Sequence, residues 1–301
     1  MKRSLGIMLL LVVFLPSCGQ TPSEFRPLPA ALGDLRGVAL GFTGLRTLGP
    51  NDGLYSAFLN LDNGDIVVLG VFNVNDDGKP VHPTTGDVID RFTANQNLFS
   101  SVSVVIAVEP LGVIGDAGGA SAILQGPFID GIASLSVPAP LFMDQASGSY
   151  RVFTPTDGPD TNEGSGAWAV TTDGEASLSL PPLNSVYLYE HFMVINGLPV
   201  TMGRFLRDDE PDFFNPWSGS QPPPLFPGED FLQNDPPGFT FPADLAGATL
   251  LLTLEPINND SILPSQLIIL EGTFPGVVTG GETLELTNQT DNFPTGVAVI
   301  Y

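Results

Sequence analysis

The chain has 301 residues, 43% hydrophobic and 14% charged, so it can bury a core and is no disordered acidic tail. Acidic residues outnumber basic ones 33 to 10, for a net charge of −23, which excludes nucleic acid as a partner and favours cations or basic proteins. One cysteine, Cys18, excludes an internal disulfide.

In chain order, Met1, Lys2 and Arg3 precede an apolar run from Leu9 to Leu15, then Pro16, Ser17 and Cys18. A basic start, a short apolar stretch and small residues form an export signal, and the run is too short to span a bilayer. The segment resembles a bacterial lipobox. That resemblance implies cleavage before Cys18, with palmitate and other acyl chains attached to this cysteine. Several chains on one residue give stable anchoring, so the expected relation to the membrane is attachment through an N-terminal lipid. Gly19 rather than Asp follows the cysteine, which by the same resemblance favours the outer membrane, facing either the periplasm or the cell surface. Residues 1–17 are therefore expected to be a signal peptide, and 18–32, with Pro22, Pro27 and Pro29, an extended tether.

The rest reads as strands. Leu54 to Leu61 and Ile66 to Phe72 flank Asn63 and Gly64, a hairpin signal; Tyr189 to Ile195 and Val200 to Phe205 flank Asn196 and Gly197 in the same way. Val102 to Val108 and Thr249 to Leu254 are nearly continuous apolar runs, each closed by Glu and Pro, as in central strands buried on both faces. Shorter strands are expected at Ala120 to Gln125, Ile132 to Val137, Tyr150 to Phe153, Gln266 to Glu271, Thr283 to Leu286 and Val297 to Tyr301. The series repeats itself. Glu109, Pro110, Leu124, Gly126 and Phe128 match Glu255, Pro256, Leu270, Gly272 and Phe274 without a gap, while Tyr55, Phe58, Gly70 and Phe72 match Tyr189, Phe192, Gly203 and Phe205. The expected fold is all-β: two tandem homologous antiparallel β-sandwich domains of immunoglobulin-like kind, 33–156 and 166–301, joined by the acidic, glycine-rich linker 157–165.

Two segments suit ligands. Asn73, Asn75, Asp77 and Gly78 reproduce the start of an oxygen-rich calcium loop, although Thr84 stands where a bidentate Glu should close it; calcium is the one cofactor the residues suit. The second repeat carries a long connection, 206–247, in which Phe213, Phe214, Trp217, Phe226 and Phe231 lie among Asp208, Asp209, Glu210, Asp212, Glu229 and Asp230. A loop of that length is usually functional or disordered, and its aromatic residues make it a candidate recognition surface. Catalytic motifs are absent: with His82 and His191 alone, no three-histidine centre can form, and neither HExxH nor GxSxG occurs. His191, inside an expected strand, is expected to be a half-buried or surface side chain rather than a catalytic one, and the sequence supplies no partner for it.

The Glu-Pro strand, polar loop and aliphatic strand ending in Gly, VAVEP with LQG and LTLEP with LEG, resemble the extracytoplasmic domain of anti-sigma-K-factor-like proteins. The resemblance covers some 25 residues of each repeat and implies an envelope β domain used for sensing or protein contact. The expected function is that of a non-enzymatic cell-envelope lipoprotein whose partner is an envelope protein or extracellular ligand. The alternatives are a calcium-dependent adhesion or glycan-binding protein and a glycosidase-type hydrolase using paired carboxylates.

Overall fold

The computed structural model describes residues 35–50, 52–109, 122–138, 142–184, 186–257 and 262–301. The expected signal peptide, Cys18 and the tether lie outside the described residues. Among the described residues the structure is all-β with antiparallel sheets; the helical elements are two 3-10 turns, Met143–Gln145 and Thr290–Asn292.

Two hairpins nucleate two equivalent sheets. β2 (Leu54–Leu61) turns into β3 (Ile66–Val74) through Gly64 at φ 88°. β12 (Tyr187–Ile195) turns into β13 (Leu198–Phe205) through Asn196 and Gly197, both left-handed at φ 53° and 81°, as a tight two-residue hairpin loop requires. β6 (Ser101–Glu109) and β7 (Ala122–Pro127) complete the order β3-β2-β6-β7, with β4 (Pro80–Val81) beyond β3. In the second sheet β15 (Thr249–Pro256) and β16 (Ile268–Thr273) complete β13-β12-β15-β16, with β18 (Thr287–Asn288) beyond β16. Even the bulges correspond, falling between Ala57 and Phe58 in one hairpin and between His191 and Phe192 in the other.

The facing sheets are assembled from both ends of the chain. β1 (Gly37–Thr43), β5 (Phe92–Thr93) and β8 (Ile132–Leu135) take β19 (Thr295–Ile300) into the order β5-β1-β19-β8. β10 (Ala167–Trp168), β11 (Leu178–Ser179), β14 (Gly228–Glu229) and β17 (Thr283–Glu285) take β9 (Ser147–Val152), which pairs with β10 and β11 along one edge and with β17 along the other. The last strand of each expected repeat thus sits in the sheet of the other. This corrects the expected division at 157–165 into two self-contained sandwiches: residues Leu32–Tyr301 form one compact unit. The physical reason is that Tyr150 and Val152 are as apolar and as regularly alternating as Ala298 and Ile300, so either strand suits either slot, and edge pairing rather than side-chain pattern decides. The linker is tied down as well, with Ser165 donating to the Ala243 carbonyl at 2.6 Å.

The sheets meet face to face. Phe42 of β1 stacks on Phe72 of β3 at 5.5 Å, and Phe92 of β5 meets the same ring edge-on at 5.6 Å. Tyr55 stacks on it from β2 at 5.6 Å, and Phe72 is fully buried. Truncating Phe72 to Ala should therefore cost about 3–5 kcal/mol, whereas Ile66→Ala on the exposed side of the same strand should stay within about 0.5 kcal/mol. Denaturant midpoints of the two variants check this.

Candidate functional site

The chemically richest part of the molecule is a buried polar network in the second half. His191 lies on β12 at the bulge, opposite Leu252. Its Nδ1 is 2.9 Å from the Tyr150 hydroxyl on β9, and its Nε2 is 3.1 Å from Asp212 Oδ1. The latter contact is an ion-pair distance without hydrogen-bond alignment. Asp212 Oδ2 accepts from the Gly228 amide at 2.8 Å and from Asn215 Nδ2 at 3.3 Å. Gly203, at φ 129°, makes room for this carboxylate: a Cβ there would come within 2.8 Å of Asp212 Cγ. Burial, and then the charge of Asp212, push the Tyr150 hydroxyl well above its usual range, so the phenol keeps its proton and can donate to Nδ1.

Glu229 and Asp230 form the second part. Glu229 accepts from the Ser218 hydroxyl, from the Asp230 amide at 2.9 Å and from the Trp217 amide at 3.2 Å. Asp230 accepts from the Thr156 amide at 2.8 Å, from the Thr156 hydroxyl and from Trp168 Nε1 at 2.5 Å. Both residues are fully buried. Burial raises Glu229 to about 7 and Asp230 to about 6, against the opposing pull of these donors. The network joins strand β9, hairpin β12–β13, the 153–166 connection and the long 206–247 loop.

The first half has no such network at the matching ladder positions. Ala57 occupies the bulge where His191 stands, opposite Ile106. Ala167 of β10 pairs with Glu229, and its counterpart Val38 of β1 pairs with Phe92. Phe92 covers Gly70 as the Asp212 carboxylate covers Gly203. An apolar filling in one half is thus replaced by Tyr, His and carboxylates in the other.

The expected recognition residues separate into two groups. Phe231 is fully buried, packing edge-on against Phe241 at 5.6 Å, and Trp217 packs on the same ring at 6.0 Å while its Nε1 donates to the Thr201 carbonyl at 2.8 Å. Phe226 is half-buried. Trp217 and Phe231 thus hold the loop down. Phe213 and Phe214 are exposed, 60% and 48%. Asp212, Glu229 and Asp230, expected among the aromatic residues of a recognition surface, are interior instead, and His191, expected half-buried or at the surface, is fully buried against Tyr150 and Asp212.

The side-chain oxygens of the two asparagines suggested for calcium are engaged by backbone amides, Asn73 from within β3 and Asn75 in the turn that follows it. Asn73 Oδ1 accepts from the Leu48 and Val74 amides at 2.9 and 2.8 Å, and Asn75 Oδ1 from the Asp77 and Lys79 amides at 3.1 and 2.9 Å. Both lone-pair directions of each oxygen are engaged, and Asp77 points into solvent. Among the described residues no three His, Cys, Asp or Glu side chains gather as a metal site. The Glu of each Glu-Pro motif is also interior: Glu109 accepts from Ser56 at 2.6 Å, and Glu255 from the Thr253 hydroxyl and the Ser265 amide, both at 2.7 Å.

Two surface depressions, of about 450 and 360 Å³, lie elsewhere. The larger is lined by Asn196, Leu198, Phe239, Thr240 and Asp244 among others, and neither is lined by His191, Asp212, Glu229 or Asp230. No described helix is long and apolar enough to cross a membrane. No family model, curated protein or solved structure matches the chain.

Two outcomes follow from the network. A carboxyl whose pKa is raised by folding contributes stability below its unfolded value that is lost as pH rises through its folded value. Glu229 should thus cost about 3 kcal/mol between pH 4.5 and 8, so the denaturant midpoint should fall over that range, and Glu229→Gln should flatten the slope. Trp217→Ala should lose about 2–4 kcal/mol while Phe213→Ala stays within about 0.5 kcal/mol, as thermal or chemical melting will show.

Proposed function

We propose that the protein is a non-catalytic, lipid-anchored binding module of the bacterial cell envelope. The observation that carries this reading is the fate of its chemically capable side chains. The side chains of His191 and Asp212 have no solvent exposure, and Glu229 and Asp230 are as deeply buried, each committed to internal partners. A general acid or nucleophile must reach substrate; these groups reach only the protein. What they accomplish is mechanical, fixing a long loop whose Phe213 and Phe214 remain outside.

The lipobox resemblance supports anchoring through Cys18, and the resemblance of the two Glu-Pro segments to anti-sigma-K-factor-like extracytoplasmic domains supports a role in sensing or protein contact. The strongly acidic chain favours a partner that presents basic residues around an apolar contact. Aromatic side chains on a rigid scaffold suit such a surface, because little conformational entropy is lost when they bind.

Anchoring is checked by metabolic labelling with palmitate: the wild-type chain should carry label and sediment with membranes, and Cys18→Ser should do neither. Contact through the loop is checked in the same cells with a photoreactive residue at position 213. A discrete protein adduct at 213, absent with the probe at exposed Ile262 and weakened by high salt, is expected. Identical labelling at both positions, or none at 213, would overturn the binding reading.

A further inference from the structure

We infer that the protein is a fused strand-swapped pair, in which each half is the obligate partner of the other and neither closes its own sandwich. The reciprocity of the exchange carries the inference. β19 enters the slot between β1 and β8, with register pairs from Val38↔Ile300 to Thr43↔Thr295 on one side and from Gly296↔Leu135 to Val299↔Ile132 on the other. Backbone bonds at 2.9 Å in both directions between Gly37 and Tyr301 extend that ladder to the last residue. β9 enters the matching slot, pairing with β10, β11 and β17.

Each inserted strand delivers its apolar side chains to the other half's core. Ala298 is fully buried and Ile300 nearly so; Tyr150 and Val152 are fully buried. Withdrawing either strand would leave two open ladder edges above an uncovered apolar face, which a soluble fold does not sustain. Side-chain bonds strengthen the union: Tyr187 donates to the Ala122 carbonyl at 2.7 Å, Gln266 to the Tyr55 hydroxyl at 3.1 Å, and Asn288 to the Met143 and Ala146 carbonyls at 2.9 Å. Both flanks of the connection between the halves are bonded to the second half, through Thr156 and Ser165. Its exposed part, residues 159–162, makes only local hydrogen bonds, such as Asn162 donating to Asp157 and the Thr161 carbonyl accepting from Thr154. Covalent continuity there keeps the halves at a high local concentration but does not hold the strands in place.

The sole native cysteine makes a crosslinking test clean. In a Cys18→Ser background, exchange places Ser134 opposite Val297 and Ser149 opposite Glu285. Both are pairs whose backbones do not hydrogen-bond directly to each other, with accessible side chains, the geometry that accepts a disulfide. Without exchange, Ser149 would instead lie beside Ser134, and Val297 beside Glu285. Four double-cysteine variants of the chain, each with a protease site inserted between Asp160 and Thr161, are oxidised, cleaved and run on non-reducing gels. The expected result is that S134C/V297C and S149C/E285C join the two fragments within one monomer, that S134C/S149C and E285C/V297C do not crosslink, and that the cleaved but unoxidised protein elutes at the size of the uncut chain. Crosslinks in the second two variants, crosslinks only between chains, or fragments that separate as folded monomers would overturn the inference. If a cysteine pair impairs folding, the elution of the cleaved, cysteine-free chain decides alone: co-elution supports the pair, separation refutes it.

Discussion

The constraint on which the rest depends is that every interior strand must find a backbone partner along both edges. A buried amide or carbonyl without a partner costs a few kcal/mol, so a slot between two strands has to be filled. Here the filling strands come from the opposite half, β19 between β1 and β8 and β9 between β10 and β17. Sheet closure and the union of the halves are therefore one event. As a consequence the start of β1 lies beside the end of β19, with Gly37 and Tyr301 bonded to each other.

Within that shared frame the halves spend their interiors differently. Tyr55 and Phe72 in one half have counterparts in Tyr189 and Phe205, stacked alike at 5.6 and 5.5 Å. Beyond these rings the first half continues with Phe92, while the second turns polar with His191, Asp212 and Glu229. Burying such groups is costly even when all are bonded, and an apolar filling of the same shape is often the more stable choice. What the polar version adds is direction. Each bond specifies one position of one segment: Asp212 fixes the Gly228 amide, Asp230 fixes Thr156 and Trp168, and Glu229 fixes Trp217 and Ser218. A long irregular connection lacks a ladder to define it, and this network takes the place of one.

Sequence pattern made the hairpins legible, since Asn-Gly between alternating apolar residues admits few other conformations, and the Glu-Pro strands were legible from their unbroken apolar runs. β1 was not, because in GVALGFT the buried Val38, Leu40 and Phe42 alternate with alanine, glycine and threonine rather than with charged or strongly polar residues, so the alternation carries little contrast; β10, β11 and β14 are two-residue strands that exist only through their partners. Strand exchange was hidden for the same reason: alternation tells which face a residue takes and says nothing of which edge the strand joins. The network escaped because carboxylates in a run such as DDEPDFF read as solvated. Only topology brings Tyr150, His191 and Asp212 together from three separate segments. One signal was available, the replacement of Ala57 by His191 at matched positions of the repeats, which places a polar group where an apolar one sufficed.

That asymmetry bears on what the molecule is for. Were the second half only a support for the first, the apolar filling around Phe92 would have served it equally well, at lower cost and with a shorter loop. The polar network is instead coupled to the long 206–247 connection of the second half, which it anchors near the start through Asp212 and beyond the middle through Glu229 and Asp230. Trp217, between those points, and Phe231, directly after them, add apolar attachment. A segment fixed so thoroughly, yet left with two phenylalanines facing solvent, has the physical character of a preorganised contact surface. The cost of its internal polarity is offset by the rigidity it gives to this surface, which under the proposed function is where a partner would dock.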